Sequence, residues 1–83
     1  MNRGLFETLT FDKKKEVVFS YGEFITKFIR KDLEYRLYRV YTFLVEIQMN
    51  KTSKIVEVIH TIDEDKALNK FSEGIDLRKL LRD

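Results

Sequence analysis

The chain has 83 residues, 43% hydrophobic and 36% charged, the composition of one folded domain over 1–83 and too apolar for a disordered segment. It contains no cysteine, which excludes disulfide staples, thiolate metal sites and a cysteine nucleophile, and makes the reducing cytoplasm the expected location. The formal charge of +2 is too small to single out nucleic acid, yet it is unevenly spread, with eleven Lys/Arg against seven Asp/Glu in residues 1–54 and five against seven in 55–83.

The N-terminal apolar pair Leu5-Phe6 is broken at once by Glu7 and Thr8, so no signal-peptide core is expected there. No run approaches the roughly 18 apolar residues of a membrane span, and no membrane partner is expected. Thr10 then stands as an N-cap before Phe11, with Asp12 in the first turn and Gly22 beyond Tyr21, which predicts a helix over 11–21. Phe11, Lys14, Val18 and Tyr21 share one face, and Val17 widens it. A hairpin turning at 12–15 is the competing reading, because Val17-Val18-Phe19 is strand-like.

From Glu23 the period becomes two. Strands are predicted over 23–31, 35–40, 43–49 and 54–62, separated by turns at Asp32-Leu33, near Tyr41 and at Asn50–Ser53. Leu33, Leu37, Val40, Leu44 and Ile47 also fit helical spacing, so one long helix over 23–48 competes; the density of Tyr, Val, Thr, Phe and Ile favours strands. Asp63, Glu64 and Asp65 open a helix over about 64–73 that closes near Gly74, and Asp76 caps a further turn over about 76–82. The fold expected is α+β: a four-stranded antiparallel meander flanked by an N-terminal and a C-terminal helix.

Symmetric closure at Asn50–Ser53 sets Val45 against Val58, Ile47 against Val56 and Glu46 against Glu57. A three-residue turn at Val40–Thr42 sets Leu37 against Val45 and brings Arg36 opposite Glu46, as the cation that would relieve the carboxylate pair. The resulting second sheet face carries Phe24, Phe28, Arg36, Tyr38, Leu44, Glu46, Glu57 and Ile59, more apolar than a wet surface, and is the expected interaction face for a protein partner or a second copy.

Chemistry is sparse in this pattern. Glu46 with Glu57 is the only carboxylate pair the pattern brings together and reads best as an Arg-neutralised cross-strand cluster rather than an acid–base pair. His60, the sole histidine, reads as a structural residue near Phe43, and the acids at 63–65 read as helix-start residues, so neither metal nor cofactor is expected. Lys13, Lys14, Lys15, Lys27, Arg30, Arg36 and Arg39, interleaved with tyrosines, support an alternative: a basic nucleic-acid-binding domain. The expectation is a non-enzymatic protein-interaction module.

Overall fold

The computed structural model describes residues 1–72; the turn expected at 76–82 lies outside them. Two helices, α1 (Arg3–Glu7) and α2 (Phe11–Tyr21), precede four strands, β1 (Gly22–Arg30), β2 (Leu33–Val40), β3 (Phe43–Asn50) and β4 (Val56–Ile62), and α3 (Glu64–Lys70) follows. The strands form one antiparallel sheet in the order β1-β2-β3-β4, an α+β meander with helices on both sides of it in sequence. The hairpin reading of 11–21 and the long-helix reading of 23–48 are both overturned. Thr10 caps α2 by accepting a bond from the Lys13 amide, and Gly22 donates to the Val18 carbonyl where helix passes directly into strand.

A helix that the sequence pattern does not predict, α1, is capped by Asn2, whose side chain accepts from the Leu5 amide. Its residue Phe6 is fully buried and meets the ring of Phe43 at 5.4 Å. With Val18 of α2 it seals one sheet face, the α2 face, over Tyr38, Val40, Val45, Ile47, Met49 and Ile59. Ala67 and Phe71 seal the other, the α3 face, over Ile25, Leu37, Leu44 and Ile62. A sheet buried on both sides needs apolar residues at successive positions, which explains the near-continuous burial of β3.

The register differs from the expected one at both hairpins. Between β2 and β3 the turn has two residues, Tyr41-Thr42, with Tyr41 in the left-handed region at φ 55°, so Arg36 meets Ile47 and Leu37 meets Glu46. Between β3 and β4 the loop runs to Ile55: Asn50 Oδ1 accepts from the Thr52 and Ser53 amides, Lys54 turns at φ 62°, and Asn50 pairs with Ile55. A register shift beside Met49 then leaves Glu57 without an opposite residue, so Glu46 meets His60 and not Glu57. That irregularity lets Val56 and Ile59 both turn toward the α2 face while Ile62 reaches the α3 face.

Candidate functional site

Two carboxylates, Glu34 and Glu46, are fully buried, one on each sheet face. On the α3 face Glu46 accepts from Lys70 Nζ at 2.7 Å and from Gln48 Nε2 at 3.1 Å, and His60 Nε2 stands 3.7 Å from its Oε1. Among the described residues that Oε1 has no hydrogen-bond partner. A cleft of about 220 Å³ beside it is lined by Arg3, His60, Asp63, Lys66 and Lys70. For acid–base work one nitrogen of His60 would have to point at a reactant. Instead Nδ1 lies 2.9 Å from the Thr61 carbonyl and Nε2 faces Glu46, so both ring nitrogens are directed at protein oxygens. Glu57, the expected partner of Glu46, is exposed beside the β4 irregularity.

On the α2 face Glu34 is the hub of a cationic ring. Arg36 Nε donates to it at 2.5 Å and Lys54 Nζ at 2.6 Å, with Lys27 Nζ at 3.9 Å. Burial works against its charge, but the bonds from Lys54 and Arg36 and the fields of Arg36 and Lys27 outweigh it, holding the carboxyl below the usual glutamate range. A hydrogen bond with Tyr38, followed by that to Glu34, holds the Arg36 guanidinium above its usual value against burial. Lys54 reaches this cluster from the β3–β4 loop, where it takes the left-handed conformation. Arg36 is therefore the neutralising cation expected from the sequence, but for Glu34.

A third feature is the outer side of β1. Its central irregularity, between Phe24 and Thr26, makes Ile25 an extra residue that points with Thr26 toward the α3 face. Phe24 consequently sits on the α2 face and Phe28 on the α3 face, so the predicted interaction surface is divided: Phe24, Arg36, Tyr38 and Ile59 lie on one side, Phe28, Leu44 and Glu46 on the other. Tyr38, Leu44 and Ile59 are also buried, which removes them from any interface. The exposed apolar residues of the rim along β1 are Phe24, at 41%, and Ile29, at 53%, with Phe19 and Tyr21 from the end of α2 at 50% and 65%; on the β4 side Ile55 and Val58 are also exposed. Phe19 and Phe24 both stand edge-on to Tyr38, at 6.0 and 5.7 Å, and the Arg36 guanidinium lies 6.0 Å from the Phe24 ring. No sequence signal marks this rim, because the alternation is read correctly only once the extra residue is placed.

The cations proposed for nucleic acid do not converge. Lys27 and Arg36 are opposed neighbours on the α2 face, whereas Arg30 and Arg39 belong to the other face, where Arg30 lies 5.6 Å from the Phe28 ring. On α2, Lys13 pairs with Glu16, Lys14 lies 6.0 Å from the Phe6 ring, and Lys15 is exposed. The described residues include no cluster of three or more His, Asp or Glu suited to a metal ion, and no helix long and apolar enough to cross a membrane. Comparison with protein-family models, with curated proteins and with solved structures finds no match for this chain.

Proposed function

We propose that the chain is a non-enzymatic protein-interaction module that binds through the outer edge of β1 and the apolar rim beside it. The observation carrying this reading is the coincidence of exposed Phe19, Tyr21, Phe24 and Ile29 with a nine-residue edge strand whose outer side pairs with no other strand among the described residues. Apolar edge strands recruit further strands unless they are covered or charged, and aromatic residues beside an arginine are the usual anchors of protein interfaces. The opposite edge is managed differently. On β4, Arg3 and Glu7 of α1 bond to Thr61, and the pairing with β3 shifts register at Glu57. The absence of cysteine suits a reducing compartment such as the cytoplasm.

A photo-crosslinking residue placed at Ile29, compared with one at Glu57, also exposed but on β4, tests this in cells of the native host. Crosslinks at 29 and none at 57 are expected. Equal yields at both, or none at either, would remove the reading.

A second reading rests on one further observation: Arg30, Lys31, Lys51 and Lys54, of which only Arg30 belongs to the cations read from the sequence, stand at the end of the sheet where the two loops meet through the bond from the Lys51 amide to the Asp32 carbonyl. That basic end suits a polyanion such as single-stranded nucleic acid. Retention of mixed single- and double-stranded nucleic acid at low salt, lost steeply on raising the salt, would support it; no retention at low salt would remove it.

A further inference from the structure

We infer that the partner taken up at the β1 edge is a second copy of this chain, joined by antiparallel β1–β1 pairing about a two-fold axis to make one continuous eight-stranded sheet. This names the occupant of the surface proposed above and rests on that reading. The register that the strand permits with itself is what singles out this occupant.

In an antiparallel pair, residues opposite one another must share a face. Without its irregularity, β1 would put Phe24 and Ile29 on opposite faces, since they are five residues apart. The extra residue at Ile25 brings both onto the α2 face, and it brings Glu23 and Arg30 together onto the α3 face in the same way. With the axis at Lys27, Ile29 then meets the partner's Phe24, Phe28 meets the pair formed by the partner's Ile25 and Thr26, and Arg30 meets the partner's Glu23. Each of these contacts occurs twice, as an isologous interface requires. The match covers the two most exposed apolar residues of the strand and pairs opposite charges at its ends.

One contact is unfavourable, because the two Lys27 side chains face each other across the axis. Each has its own counter-charge nearby, with Glu34 Oε2 3.9 Å from Lys27 Nζ. An unrelated acidic strand would relieve that repulsion but would leave the match of Phe24 to Ile29 and of Glu23 to Arg30 as coincidence.

The chain contains no cysteine, so a single one reports unambiguously. Lys27→Cys places two thiols on the axis, where opposed Cα atoms lie about 4.5–5.5 Å apart, inside the range a disulfide spans. Under mild oxidation Lys27→Cys should give a covalent dimer, whereas Glu57→Cys on the other edge should not. Equal dimer from both, or none from Lys27→Cys, overturns the pairing.

Charge reversal gives the second arm, read by sedimentation over a wide concentration range. Glu23→Arg and Arg30→Glu should each weaken self-association about tenfold, and their equimolar mixture should restore it, because the mixed dimer regains both ion pairs. A wild-type chain that stays monomeric, or a mixture that associates no better than either variant, overturns the inference. Circular dichroism of each variant confirms that it is folded. Crosslinking at Ile29 to a protein of different mass, with a monomeric wild type, would end the dimer and leave the interaction module standing; no crosslinking at Ile29 would end both.

Discussion

Glu34 and Glu46 are equally buried but differently satisfied, and that difference decides what each is worth. Both oxygens of Glu34 are engaged, by Lys54 on one and by Arg36 and the more distant Lys27 on the other. Glu46 has Lys70 and Gln48 on one oxygen, whereas its Oε1 has no hydrogen bond among the described residues and only His60 Nε2 at 3.7 Å. Replacing a buried ionised group strands its cations, but those around Glu34 are partly exposed and can rehydrate. Glu34→Gln should therefore cost about 1–3 kcal/mol, below the range for a wholly buried pair. Glu46→Gln should cost about 1 kcal/mol or less, because it loses one charged contact. Chemical denaturation of the two variants checks the order, and a larger loss at Glu46 would mean that the ring around Glu34 contributes little. The pH profile depends on the same site. The Glu34 carboxyl is held below its ordinary value of 4.5 when folded, so its contribution is fully present above that value and is lost as pH falls below it toward the folded value. Wild-type stability should drop across that acid window, and the profile of Glu34→Gln should be flatter there. Parallel profiles would remove Glu34 as the cause.

At the scale of elements, the junction between α2 and β1 is tight, since helix becomes strand with no intervening residue. Gly22 has an ordinary φ of −79°, so its role is space rather than conformational freedom. A Cβ there would lie 2.4 Å from the Val18 carbonyl oxygen, a backbone atom that cannot move without shifting the end of the helix. Gly22→Ala should cost about 1–3 kcal/mol. Gly4→Ala, where the nearest atom to the new Cβ is at 3.5 Å and the position is helical, should instead be neutral or stabilising by up to about 1 kcal/mol. Thermal melts of the pair distinguish packing at the junction from a general intolerance of alanine. The start of α2 and its end at Gly22 were legible in the sequence because Thr10 and the glycine are chemical signals. The meander was legible because alternation marks strands. The registers were not, because they depend on turn residues that carry no such signal. Lys31, Tyr41 and Lys54 all occupy the left-handed region although none is glycine or asparagine. The irregularities beside Ile25 and Glu57 each then exchange the faces of the residues C-terminal to them. The candidate surface shared that fate: Phe24 and Phe28 looked like one patch until an extra residue stood between them. A short helix such as α1 offers little beyond Asn2, too weak a mark to read before its packing is known.

For the molecule as a whole, the two apolar layers share the same strands, so neither side can be loosened without the other. Phe6 on the α2 face and Leu37 on the α3 face are both fully buried, and each packs in its own layer. An 83-residue chain has on the order of 5 kcal/mol to spare, while Phe→Ala and Leu→Ala at buried positions cost about 3–5 and 2–5 kcal/mol. Phe6→Ala and Leu37→Ala should each bring the chain close to unfolding at ambient temperature. Each should also melt in one transition, with far-ultraviolet dichroism and tyrosine fluorescence coinciding. If Phe6→Ala lost its helical signal first while the sheet persisted, the α2 layer would be a separable cover. Pairing at β1 adds a dependence that no single-chain account contains, because association with the folded form alone raises the melting temperature with protein concentration. That rise should be present in the wild type and in Gly4→Ala, whose substitution lies on α1, which packs beside β4 at the other edge of the sheet. In Arg30→Glu, whose exposed side chain leaves the single-chain fold intact, it should appear only at about tenfold higher concentration. A melting temperature independent of concentration in all three would confine the open edge of β1 to a different partner and leave the folded chain stable by its two layers alone.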